Sequence, residues 1–190
     1  MREQTARKAQ TLQEDHILLE AQNLIARDEI RATIIRFATS LDLKDWRQCR
    51  SCFIDQIYTD YSDLRGDPPA IINADDFVEL RRRALSNLLT HHVSTNHSIE
   101  LNGDEATCIS SMVIYRCVPD DPDGTSFDTH CIYTHRLVRT RDGWKISKVK
   151  QQILWNTGDA RIHAGANRHS KVGAKDQPHG NAKSRSRGRK

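Results

Sequence analysis

The spacing of apolar residues changes once along this chain, near Thr90, and that change limits the folds open to it. Before it, apolar residues recur at three- and four-residue intervals. Ile30, Ile34, Phe37, Ala38 and Leu41 form one stripe within a helix read over residues 12–41. Asp45 is placed to cap a second helix carrying Trp46, Cys49 and Phe53. Asp75 or Asp76 is placed to cap a third, in which Phe77, Leu80, Ala84, Leu85 and Leu88 share a face. Between these two, a short strand from Ile57 to Tyr61 leads into a loop with Gly66 and Pro68-Pro69. After Thr90 the period is that of strands, over 92–101, 105–118, 127–139 and Trp144 to Trp155. The separating turns have suitable chemistry: Asn102-Gly103-Asp104, Pro119 to Gly124, and Arg141-Asp142-Gly143. Three helices followed by an antiparallel meander predict an α+β fold. A curved antiparallel sheet would pack on three N-terminal helices, forming a cone whose interior can hold a small molecule.

Charge divides the chain further. Residues 161–190 carry nine Lys and Arg against one acid, Asp176, so this segment is +8 while the whole chain is +4. The remainder is therefore −4, mildly acidic. The segment has almost no large apolar residue, so it is expected to be a disordered basic tail. Its end, KSRSRGRK, can bind phosphate backbones non-specifically, although a solubilising role is the plainer reading. The expected organisation is a helical extension over 1–27, a domain over 28–158 and a tail over 159–190. No run of 18 apolar residues is present, and no membrane association is expected. The first residues lack the apolar core of a signal peptide, and the cysteines number five. Both features predict reduced thiols and a cytoplasmic location. Cys49 and Cys52 form a CxxC within a helical pattern, without a second pair at zinc-ribbon spacing. They are read as helix packing, and no metal site is expected.

Proton transfer needs a base near neutral pKa, a group to orient it and a donor for the charge formed on substrate oxygen. Asp42 follows the helical stripe directly, His91 and His92 open the first long strand, and Tyr61 ends the short one. Each has an ordinary alternative: a solvated helix-end carboxylate, a structural strand histidine, a core tyrosine with its hydroxyl at the rim. Strict alternation puts His91 with Val93, Ile99 and Leu101 on the more apolar face, and His92 with Ser94, Asn96 and Ser98. A bulge near Ser94–Asn96 would bring His92 inside instead.

Taken together, Ser40-Leu41-Asp42-Leu43-Lys44-Asp45-Trp46, Thr59-Asp60-Tyr61, Thr90-His91-His92 and Asp142-Gly143-Trp144-Lys145 resemble the SnoaL-like, nuclear-transport-factor-like superfamily. The resemblance spans roughly residues 28–158. Within the superfamily it is strongest to the scytalone dehydratase branch and weaker to hexachlorocyclohexane dehydrochlorinase and bile acid 7α-dehydratase. The hydrophobic-x-tryptophan at Ile153 to Trp155 matches as well. The resemblance implies an α+β cone, a homotrimer or dimer, and no metal or organic cofactor. It implies an Asp–His pair at Asp42 and His92, with Tyr61 polarising a substrate carbonyl. Leu41, Ile114, Arg116, Cys131, Tyr133 and Trp155 would contact substrate. Arg116 stands where scytalone dehydratase has a second histidine, Cys131 and Tyr133 where it has serine and asparagine, and Leu41 where it has tyrosine. These departures argue against scytalone itself as the substrate.

The expected function is a dehydratase-type lyase or an isomerase of secondary metabolism, working without a cofactor. Its substrate would be a small, mostly apolar carbonyl compound of polyketide, terpenoid or steroid type. The alternatives are a pocketed binding or assembly module without turnover, and a nucleic-acid-associated protein working through its tail.

Overall fold

A computed structural model describes residues 2–163. The tail beyond them, with its expected disorder and nucleic-acid contacts, lies outside the described residues. The first helix, α1 (Arg2–Asp42), runs unbroken from ten residues earlier than its apolar stripe suggests. Ala26, Ile30, Thr33, Ile34, Phe37, Ala38 and Leu41 are buried along one face. That spacing of three and four residues is what a single helical face in contact with a sheet requires. Residues 10–22 of the helix lie exposed, Leu12, Ile17, Leu18 and Leu19 among them.

The chain leaves α1 through a left-handed turn. Lys44 has φ 58°, and Asp45 N–H reaches back to the Ser40 carbonyl at 2.9 Å while Lys44 N–H reaches Leu41. This double closure satisfies carbonyls that the helix end would otherwise leave unpaired. Asp45 then caps α2 (Trp46–Ser51) by accepting from Gln48 N–H, as its position suggests. Cys49 and Cys52 are both fully buried against the helices and sheet, and burial pushes their thiols up to about 12 and 11. All five cysteines are free.

Next come β1 (Phe53–Asp60), a one-turn helix α3 (Ser62–Arg65), β2 (Ala70–Asn73) and α4 (Ala74–Leu85). The segment expected to be a loop thus contains both a helix and a strand. Gly66 ends α3 at φ 81°, a left-handed position suited to glycine. Asn73, not Asp75 or Asp76, caps α4, its side chain accepting from Asp75 N–H at 2.8 Å. Leu80 is exposed, and Arg81 takes the inward position between Phe77 and Leu85. The four long strands are β3 (Leu89–Asn102), β4 (Glu105–Cys117), β5 (Phe127–Thr140) and β6 (Gly143–Gly158).

The strands form one sheet in the order β2-β1-β6-β5-β4-β3. The four-stranded meander is antiparallel, as the turns predict, but β1 runs parallel to β6, so the sheet is mixed. The sheet curves without closing, and α1 and α4 cover its concave face. Thr33 Oγ1 donates to the Trp144 carbonyl at 3.2 Å, and Arg27 donates to the Ile99 carbonyl, fixing α1 across the strands. This is the α+β cone expected from the sequence. No helix among the described residues is long and apolar enough to cross a membrane.

Candidate active site

The end of α1 and the start of β3 meet at Asp42 and His92. Asp42 Oδ1 lies 2.5 Å from His92 Nδ1, and its Oδ2 accepts the His92 backbone N–H at 2.8 Å. Both carboxylate oxygens therefore fix the same residue, and Nδ1 must carry the proton that bridges the pair. The His92 side chain is 5% exposed, and its Nε2 has no partner among the described residues. Burial pushes the Asp42 carboxyl up, but the hydrogen bonds and charge of His92 outweigh it, holding Asp42 below its ordinary value. Burial lowers His92, Asp42 opposes this, and Arg116 and Lys44 lower it further, leaving it below 6.5. At neutral pH the arrangement is a carboxylate holding a neutral imidazole whose free nitrogen borders a cavity.

A bulge sets which histidine faces inward. Thr95 pairs with Ser111 and Ser98 with Ile109, so Asn96 and His97 together oppose Ser110. Asn96 takes φ 53°, the left-handed conformation that lets the strand accept the extra residue. Side chains before the bulge and after it therefore reach the same face with opposite parity. His92 joins Ile99 inside, and His91 is exposed on the outer face beside Tyr115.

The cavity is narrow: about 30 Å³ is open to a water-sized sphere, and about 350 Å³ is free of atoms only when the solvent at its mouth is counted. Phe37 and Leu41 line it from α1, Tyr61, Leu64 and Arg65 from the β1–α3 corner, and Arg81 and Leu85 from α4. His92, Ile114, Arg116, Tyr133 and Gln151 line it from the sheet, and His163 closes one side. Of the residues expected to act on or touch substrate, His92, Tyr61, Leu41, Ile114, Arg116 and Tyr133 are brought together here. Asp42 stands behind His92. Two expected contacts are not made. Cys131 is buried but does not line the cavity, its thiol lying 3.6 Å from Gln151 Nε2. Trp155 is 46% exposed and stacks on His130 at 4.2 Å, on the outer face. A second bulge turns Trp155 outward: Cys131 pairs with Ile153 and His130 with Trp155, so Leu154 is inserted and the parity flips.

A model of the SnoaL-like domain matches residues 22–150, more than half of the chain. The chain belongs to the SnoaL-like family. Its fold is also that of several solved structures. The Kfla4162 protein from Kribbella flavida is 26% identical, with TM-score 0.70, over 74% of this chain and 97% of that one. A candidate scytalone dehydratase from Novosphingobium aromaticivorans is 15% identical, with TM-score 0.66, over 80% and 99%. Hexachlorocyclohexane dehydrochlorinase LinA type 3 from Novosphingobium barchaimii is 18% identical, with TM-score 0.62, over 76% and 97%. No curated protein matches the chain.

Against that SnoaL-like frame, several cavity residues went unread in the sequence. Arg81 had a signal: it stands four residues from both Phe77 and Leu85, an apolar helical position holding a cation. Gln151 had one too, alternating with Val149 and Ile153 along β6. His163 had none, because it sits in the low-complexity run assigned to the tail. The chain remains packed past 159, with a 3₁₀ turn over Ala160–Ile162 and His163 only 5% exposed.

Proposed function

We propose that this SnoaL-like protein is a proton-transferring lyase or isomerase acting on a small enolisable carbonyl compound, with Asp42 and His92 as its base. The observation that carries the reading is the 2.5 Å contact between Asp42 Oδ1 and His92 Nδ1, with Nε2 left at the cavity. In this reading Nε2 takes a proton from the carbon beside a carbonyl. The C–H electron pair becomes the new C=C bond, and the carbonyl π pair moves to oxygen. Asp42 holds the tautomer and stabilises the imidazolium that forms. Tyr61, whose hydroxyl is buried without a partner, is aimed to donate to that oxygen. Loss of a group from the next carbon gives elimination, and return of the proton elsewhere gives isomerisation. A positioned base of this kind contributes about 10²–10⁴-fold.

The test is a screen of hydroxy-ketones and enolisable ketones for turnover and for solvent deuterium uptake at the α-carbon. Loss of both in His92→Ala, with retention in His91→Ala, is the expected pattern. Full turnover in both variants would remove the dyad from the mechanism. The narrowness of the cavity favours one alternative, a binding module without turnover. Saturable ligand binding with no exchange in the wild-type protein would select it. We further propose a homo-oligomer, because apolar side chains lie exposed along α1 and on the outer sheet face at Ile109, Tyr115, Leu154 and Trp155. Light scattering that gives the 21.7 kDa of one chain would contradict this.

A further inference from the structure

Three guanidinium groups from three different elements border the one cavity: Arg65 of α3, Arg81 of α4 and Arg116 of β4. Arg81 and Arg116 are 6% and 3% exposed. Arginine is almost never buried this far without a carboxylate beside it. Among the described residues, none of the three has a carboxylate within 4.0 Å. Asp67 near Arg65 and Asp128 near Arg116 act on them only from beyond ion-pair distance.

The faces of these groups are occupied, while each keeps at least one buried N–H without a partner. Arg81 lies 4.2 Å over Tyr61 and 4.4 Å over Phe77, and Arg65 lies 5.5 Å over Tyr61. Arg116 donates through one terminal nitrogen to the Phe127 carbonyl at 3.3 Å and to Thr129 Oγ1 at 2.9 Å. That leaves Arg65 Nε, Arg81 NH1 and Arg116 Nε buried without partners, in a cavity where Tyr61 OH, His163 Nδ1 and the acceptor Gln151 Oε1 are also unpartnered. No acceptor among these carries charge, so three buried cations call for an anion. The charges also oppose one another: Arg65 is lowered to about 10, first by the charge of Arg81 and then by burial, and burial lowers Arg116 to about 10.

We infer that Arg65, Arg81 and Arg116 form a receptor for the carboxylate of a small anionic substrate. The compound brought to His92 is then an oxoacid or hydroxy acid rather than a neutral ketone. A planar carboxylate accepts two parallel N–H bonds from a guanidinium edge and neutralises the like charges around it. This deepens the proton-transfer reading, on which the role of His92 rests, but the receptor itself is read by binding alone.

The test compares 2-oxobutanoate, 2-oxopentanoate and benzoate with their methyl esters on the full-length protein, by calorimetry and thermal shift. At least one acid is expected to bind ten-fold or more tightly than its ester and to raise the melting temperature. Arg81→Met, which keeps the apolar stem over Tyr61, should abolish that preference. So should Arg65→Gln, a half-buried position that puts the fold at less risk, whereas Arg83→Gln on the exposed face of α4 should not. Equal binding of acid and ester, or no acid binding at all, would overturn the receptor. Deuterium uptake at C3 of the oxoacids separates the two claims. Acid binding without uptake keeps the receptor and removes the base, while uptake by the ester alone does the reverse.

Discussion

His92 has two ring nitrogens in unlike settings, one bonded to Asp42 and one at the cavity, and the chemistry proposed depends on that difference. Asp42→Asn keeps the volume but removes the charge that selects the tautomer. It should lower turnover by about 10²–10⁴-fold with little change in melting temperature. His92→Ala should do the same, and Tyr61→Phe, which deletes one hydrogen bond, should cost about 1–3 kcal/mol of transition-state stabilisation. Because His92 titrates below 6.5 and acts in its neutral form, the rate should be flat near neutrality and fall on the acid side. A rate that falls on raising the pH from 6 to 8 would contradict this. The meeting of Asp42 with His92, and the place of Tyr61 at the same cavity, were legible because these residues lie in short motifs at characteristic places. Trp155 misled because its motif was local, while its direction is set by an inserted residue one position earlier.

At the scale of elements, the long strands, their turns and the helical stripe of α1 could be read directly, since each repeats one period over many residues. Periodicity alone shows neither bulge, but the conflict between alternation and motif at His91 and His92 points to the first near Ser94–Asn96, where the structure has it; nothing pointed to the second. The parallel pairing of β1 with β6 was also hidden, as it joins segments far apart in sequence. Asn96 makes the first bulge testable. Asn96→Gly suits φ 53° and should leave stability unchanged or raised, whereas Asn96→Val should lower it by about 1–2 kcal/mol in urea titrations. Gly158 ends β6 at φ 85°, and a Cβ there would stand 2.1 Å from the Ser126 carbonyl oxygen. Gly158→Ala should therefore destabilise by about 1–3 kcal/mol or more, and loosen the turn that delivers His163 to the cavity. Equal melting temperatures for Gly158→Ala and wild type would refute that packing.

Across the molecule as a whole, three buried histidines among the described residues are held neutral. His92 lies below 6.5, His135 at about 3 and His163 at about 2, each chiefly through burial. A lowered folded-state pKa means that the unfolded chain takes up the proton first as pH falls. The stability tied to these groups is complete above 6.5 and is lost progressively toward pH 3. His135 lies between Phe37 and Tyr133 with both nitrogens unpartnered, so His135→Phe should stabilise by about 1–3 kcal/mol and flatten the acid limb. Thermal melts from pH 7.5 to 4 check both. The central claim is that the whole fold presents His92 as a neutral base with Nε2 free and Nδ1–H bound to Asp42. Long-range ¹H–¹⁵N correlation spectra of the intact protein at pH 7 report this directly. A protonated Nδ1 and a bare Nε2 are expected for His92, with the Nδ1–H signal lost or shifted in Asp42→Asn. A proton on Nε2, or a His92 ring still doubly protonated at pH 7, would contradict it.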